Sequence, residues 1–94
     1  MSSLSLERVD CFSVFSAADP SALPRVLEVF SLYGLIPTSC HSVRHEVEDQ
    51  LVVDLQVTGL PQGQADLIAK RLSRVVTVTQ VLWSEKRQAT RAAA

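Results

Sequence analysis

The sequence predicts one α+β domain in which strands and helices follow the order β-α-β-β-α-β. Three observations predict it: two stretches with apolar residues at helical spacing, four runs rich in β-branched residues, and proline or glycine breaks between them. The size agrees, since 94 residues with 47% apolar and 20% charged side chains make one small domain. Two domains would each be too short to bury a core without disulfides or a metal. A chain this short hides only roughly 60–70% of its unfolded surface, so cover from a partner subunit is expected.

Residues 1–7 read as a mostly polar leader. Val9, Cys11, Phe12, Val14 and Phe15 then form a β-branched and aromatic run, interrupted by Asp10 and Ser13, that predicts a strand covered on both faces. Ala17, Ala18, Asp19 and Pro20 stop it, because proline cannot continue a central ladder. Ser21 is a suitable N-cap, and Pro24 falls in the first helical turn, where its missing N–H costs nothing. Leu23, Val26, Leu27, Phe30 and Tyr33 lie on one face of the helix that follows, and Gly34 stands where the chain must turn left-handed to leave it.

Leu35 restarts an extended segment that runs to about Glu46. Pro37 and the polar residues after it assign this strand to a sheet edge. After a turn over Val47–Gln50, Val53, Leu55 and Val57 alternate with Val52, Asp54 and Gln56, giving one dry and one mixed face. Thr58, Gly59, Leu60 and Pro61 break the pattern. Ala65, Ile68, Ala69 and Leu72 then repeat at helical spacing, with Asp66, Lys70, Arg71 and Arg74 outward. Val76, Val78, Val81, Leu82 and Trp83 make the closing strand, and residues 85–94 read as a flexible C-terminal tail. With right-handed crossovers this order gives the ferredoxin-like sandwich: a four-stranded antiparallel sheet with two helices on one face.

The fold supports many functions, so function has to come from side chains. A formal charge of −1 provides no global field for nucleic acid, and five aromatic residues are too few for a base-stacking platform. Cys11 and Cys40 form no CxxC pair and read as small buried hydrophobes of a reducing compartment. The N-terminus has no secretory pattern and no run approaches the ~20 apolar residues of a membrane span, so a cytoplasmic location is expected. His41 and His45 share one face of a strand while Cys40 points to the other, which makes a weak metal site; surface histidines are the simpler reading. The three glycines fit chain reversals rather than a phosphate cradle. No catalytic constellation stands out, and no cofactor or metal is expected.

Two features are left. Residues 67–94 carry six basic groups against one acidic, whereas residues 1–66 carry three against nine. Lys70, Arg71 and Arg74 therefore read either as a solvated helix face or as a patch that docks an acidic partner. The loop from Ala17 to Ala22 leads into a helix N-terminus with free N–H groups, where a carboxylate could sit, or where the loop simply caps itself. The neighbouring edge strand could continue the sheet into a symmetry mate, with Thr38 and Ser39 offering hydroxyls at the seam.

The stretch FSVFSAADPSALPRVLEVFSLYGLIP, Phe12 to Pro37, resembles the opening of an ACT domain. The alternating strand Leu51–Val57, the Leu72-x-x-Val75 helix end and the Val78-x-x-Val81 step are similar too. The resemblance spans about residues 9–84, within a domain set at residues 8–84, and is nearest to the short regulatory (small) subunits of acetohydroxyacid synthase, also called acetolactate synthase. It implies a homodimer that binds a larger thiamine-diphosphate catalytic subunit in branched-chain amino-acid synthesis and leaves the chemistry to it. The alternative it implies is a stand-alone sensor that binds an amino acid at the dimer interface. Carried onto this chain, the effector set is Ala18, Asp19, Ser21, Ala22, Leu23, Ile36, Thr38 and Ser39, and the partner-binding set is Lys70, Arg71 and Arg74. Ala18 and Ser21 depart from the polar and glycine residues that effector-binding members carry there.

Overall fold

Strand pairing in the order β2-β3-β1-β4, antiparallel throughout, organises the protein. The computed structural model describes residues 4–91. Its elements are β1 (Leu4–Ala17), α1 (Ala22–Leu32), β2 (Ser39–His45), β3 (Gln50–Thr58), α2 (Gln64–Ser73) and β4 (Val78–Arg91). This is the expected four-stranded sheet with two helices, and β2 lies at an edge as expected, although Pro37 falls before the strand and so is not what places it there.

The core forms where the dry face of the sheet meets the helix stripes. Phe12 and Val14 of β1 stand opposite Leu55 and Val53 of β3. They are fully buried with Val26 and Phe30 of α1 and Ile68 and Leu72 of α2. The rings of Phe12 and Phe30 meet edge to face with centroids 5.7 Å apart, a geometry that adds to simple area burial. Gly34, at φ +67, lets α1 end in a Schellman turn: Leu35 N–H donates to Phe30 O at 2.9 Å and Gly34 N–H to Ser31 O at 3.0 Å. That turn aims the chain toward β2.

Several expectations change. β4 continues through Arg91, so residues 85–91 are strand rather than tail, and residues 4–7 of the supposed leader belong to β1. The ends of those two readings, residues 1–3 and 92–94, lie outside the described residues. β3 stops pairing at Val9↔Thr58, so Leu4–Arg8 pair with Arg87–Arg91 alone. The two strands thus form an arm that overhangs the sheet by roughly 17 Å. β2 begins at Ser39 rather than Leu35, and Val76 is 92% exposed and precedes β4. A bulge where Phe15 pairs with Gln80 and Ser16 with Val78 leaves Thr79 as the extra residue. Cys11 is only half-buried because it faces the open side of the sheet, and Cys40 is exposed although it shares the face of Leu55, because the edge strand β2 is uncovered along its whole length. The open face of β1, at Cys11, Ser13 and Phe15, is likewise only half-buried.

One polar cluster sits inside this frame. Asp10 is fully buried, and its Oδ1 accepts from Arg8 Nη2 at 3.1 Å and from Trp83 Nε1 at 3.0 Å. Arg8 also pairs with Glu85 at 2.8 Å, which ties the root of the arm across β1 and β4. Asp10 Oδ2 has no hydrogen-bond partner among the described residues.

Candidate functional site

The loop between β1 and α1 is held from both sides. Ala17 N–H donates to Thr77 O at 2.9 Å and Ala18 N–H to Asp49 O at 3.1 Å. Asp49 itself adopts φ 50 in the β2–β3 turn, a left-handed conformation that aspartate tolerates better than most residues. Its carboxylate pairs with Arg44 at 3.0 Å. These contacts leave a cleft of about 220 Å³ lined by Ala18, Asp19, Pro20, Arg44 and Leu51. Its volume falls below the roughly 300–1,000 Å³ of ordinary ligand pockets. The cleft of this chain is a partial enclosure.

The N-terminus of α1 has its own occupant. Ser21 makes no side-chain cap; instead Asp19 Oδ1 accepts from Ser21 N–H at 2.8 Å and from Ser21 Oγ at 2.6 Å. This is an Asx turn, and the carboxylate lies where the helix presents partial positive charge. The Ser21 hydroxyl, then its N–H, and then nearby Arg25 hold the Asp19 carboxyl below the usual carboxylate value.

The sequence-derived effector residues are divided between two places. Ala18 and Asp19 line the cleft. Ser21 is half-buried beside them, Ala22 is buried, and Leu23 packs against the core. Thr38 and Ser39 are exposed at the far end of β2, level with Gln56, and Ile36, 86% exposed, precedes them. Ser39 aligns with Cys11 through Gln56, whereas Ala17 aligns with Gln50. Six residues of β1 separate those levels, which is about 20 Å. Within one chain the two halves do not meet.

His41 stands opposite Asp54 and His45 opposite Gln50 on the open face, while Cys40 stands opposite Leu55. Four residues of strand put the histidines roughly 13 Å apart, too far to share one ion. Among the described residues no group of three potential ligands converges. Partial burial pushes the Cys40 thiol up, away from a reactive thiolate. Of the cationic set, Lys70 is paired with Asp66 at 3.1 Å, while Arg71 and Arg74 line a separate groove between the helices with Arg25. Sequence reasoning missed Arg44 and Leu51, which meet only through the β2–β3 register, and Arg25, whose neighbours come from the other helix. It had no signal for the burial of Asp10 either. No helix among the described residues is long and apolar enough to cross a membrane.

Comparison with known proteins places the fold. The structure superimposes on the ACT domain from GTP pyrophosphokinase of Chlorobium tepidum with a TM-score of 0.70 at 9% identity, covering 83% of this chain and 99% of that one. An uncharacterised protein of Thermotoga maritima gives 0.64 at 10% identity, over 86% and 96% of the two chains. A C-terminal regulatory domain of aspartate kinase from Porphyromonas gingivalis gives 0.63 at 12% identity, over 90% of this chain and 56% of that one. At such identities the likeness is one of fold. No curated protein sequence matches the chain. The sequence profile of the ACT-like domain matches residues 5–90, from the arm at one end of the chain to the arm at the other, and on that match this chain belongs to the ACT-like domain family.

Proposed function

We propose that this chain is a non-catalytic regulatory subunit that pairs with a second copy along β2 and binds a larger metabolic enzyme. The enzyme its motifs resemble a partner of is acetolactate synthase, in branched-chain amino-acid synthesis. The observation that carries the reading is an unfinished cleft next to an unfinished sheet. All seven residues of β2 are exposed, and Arg44 of β2 is itself a wall of the cleft at Ala18 and Asp19. An antiparallel two-fold pairing about Ser42 sets Ser39 opposite the partner's His45. The partner's Thr38 then lies diagonal to this chain's Arg44 on the helix-side face, with the partner's Ser39 turned to the open face, so Thr38 is the hydroxyl from the far half of the effector set that the pairing brings toward the cleft.

Light scattering over a range of protein concentrations tests the pairing; a strict monomer at high concentration refutes it. Adding the chain to a thiamine-diphosphate acetolactate synthase catalytic subunit tests the enzyme. Raised activity and co-elution support that partner, and no effect with no co-elution removes it.

A second reading, an amino-acid sensor, is favoured by the cleft itself, where Arg44 and its cross-strand neighbour Leu51 set a cation beside an apolar side chain. Asp19 argues against it, because its carboxylate already takes the Ser21 donors that a ligand carboxylate would need. Calorimetry with valine, leucine and isoleucine separates the readings: heat and a raised melting temperature support the sensor, and neither leaves the docking subunit alone.

A further inference from the structure

The outer surface of the two helices holds a concavity unrelated to the β2 edge. Between α1 and α2 lies a groove of about 370 Å³, lined by Arg25, Glu28, Leu32, Arg71, Arg74 and Val76. Its charge is lopsided, three guanidinium groups against one carboxylate. Elsewhere Arg8 pairs with Asp10 and Glu85, Arg44 with Asp49, and Lys70 with Asp66, and the cations left without an ion pair among the described residues, Lys86 and Arg87, lie apart on the polar arm rather than around a concavity. Arg25, Arg71 and Arg74 form no ion pair among the described residues. Beside them Leu32 is 63% and Val76 92% exposed.

Unmatched arginines around bare apolar side chains fit an occupant that is acidic and amphipathic. Nucleic acid is the poorer complement. The chain as a whole carries −1, and no aromatic residue lines the groove to stack a base. We infer that the α1–α2 groove docks a short acidic segment of a partner protein, its carboxylates paired with Arg25, Arg71 and Arg74 and an apolar side chain seated between Leu32 and Val76. The inference rests on the regulatory-subunit reading, for which it names the enzyme-facing surface. The groove belongs to the helix layer, so a subunit can pair by its sheet edge and dock by its helices at once.

The test is an NMR titration of the isotope-labelled full chain with a synthetic peptide of repeated Glu-Glu-Leu triplets. A Gln-Gln-Leu peptide and an oligouridine serve as controls. Saturable, salt-sensitive shifts at Arg25, Leu32, Arg71, Arg74 and Val76 are expected. In the double variant R71E/R74E, checked for an otherwise native spectrum, affinity should weaken by about tenfold or more. Equal binding of the Gln peptide, tighter binding of the RNA, shifts confined to β2 or the open face, or unchanged affinity in the variant overturns the docking site. Light scattering on the same samples keeps the two ideas apart. A dimer without groove binding defeats only the groove, and a monomer with groove binding defeats only the β2 pairing.

Discussion

Replacing Asp10 with alanine should loosen the join between the arm and the sheet. Its buried Oδ1 accepts two hydrogen bonds, from Arg8 at 3.1 Å and from Trp83 at 3.0 Å. Bonds to a charged group contribute roughly 1.5–3 kcal/mol each, but both donors retain access to water. The Arg8 side chain is 25% exposed and Trp83 42%, so in the variant water takes up part of what is lost. Arg8 also keeps Glu85. The expected cost of D10A is therefore about 2–4 kcal/mol, below the penalty for orphaning a fully buried charge. A domain of 94 residues holds about 5–14 kcal/mol in all. With an m-value near the low end of the range for urea, the midpoint falls by roughly 1.5–3 M. Trp83 is the sole tryptophan, so its emission reports the same site during the urea titration. D10N keeps one acceptor oxygen and should lose less. Unchanged midpoint and unchanged Trp83 emission in D10A would refute the reasoning, since they would mean the two bonds do not form.

Three further outcomes follow from the same geometry. The lowered Asp19 pKa means that its stabilising effect is fully present above the unfolded value of 3.8 and is lost as pH falls through the lower folded value. D19N should therefore melt below the wild type at neutral pH and alongside it in strong acid; thermal melts across that range would count against the Asx turn if the gap stayed constant. For the β2 seam, Ser42→Cys in a C40S background should oxidise readily to a covalent dimer, because pairing about Ser42 sets the two Cα atoms about 4.5–5.5 Å apart. Native Cys40 lies two residues off that axis and should not cross-link; non-reducing electrophoresis that shows the reverse would move the register. Truncation after Ser84 removes Glu85 and the β4 half of the arm and should lower stability by about 1–2 kcal/mol in urea unfolding. A midpoint equal to that of the full chain would restore the tail reading.

What the sequence revealed was what depends on apolar period and on special backbone positions. Val53, Leu55 and Val57 alternate, Ala65, Ile68 and Leu72 recur at helical spacing, and all six are buried. Gly34 marks the end of α1 because few other residues take φ +67 there. The arm left no such mark. Ser84 to Arg91 is polar on both faces, and a ladder of backbone hydrogen bonds needs no particular side chains. Asp10 looked like a polar interruption of a strand, since only the arrival of Arg8 and Trp83 around it makes its burial tolerable. The cleft was half legible. Its loop announced itself through Pro20, but Arg44 and Leu51 become neighbours only once β2 and β3 settle their register. Thr38 and Ser39, expected at a seam with a symmetry mate, lie about 20 Å from Ala18 within one chain, because an extended strand carries them away from the loop.

The state of the α1 N-terminus bears on what kind of regulation this chain can exert. A regulator biases its partner only by as much as something binds two states of the assembly unequally. In an effector-driven subunit that something is a small molecule, and a free helix N-terminus is where its carboxylate gains most. Here Asp19 takes the N–H and hydroxyl of the N-cap Ser21, at 2.8 and 2.6 Å, so a ligand carboxylate at the helix entrance must compete with a covalently tethered one for those donors and lie against its charge. The tether keeps the local concentration of the competitor high whatever the free ligand does. On the proposed function, the differential affinity is then left to macromolecular contacts: β2 against a second copy, and the arginine groove against an acidic segment. On this argument the subunit reports its own assembly to the enzyme, and D19N, which weakens the internal competitor, is the substitution that should move it toward responding to an amino acid.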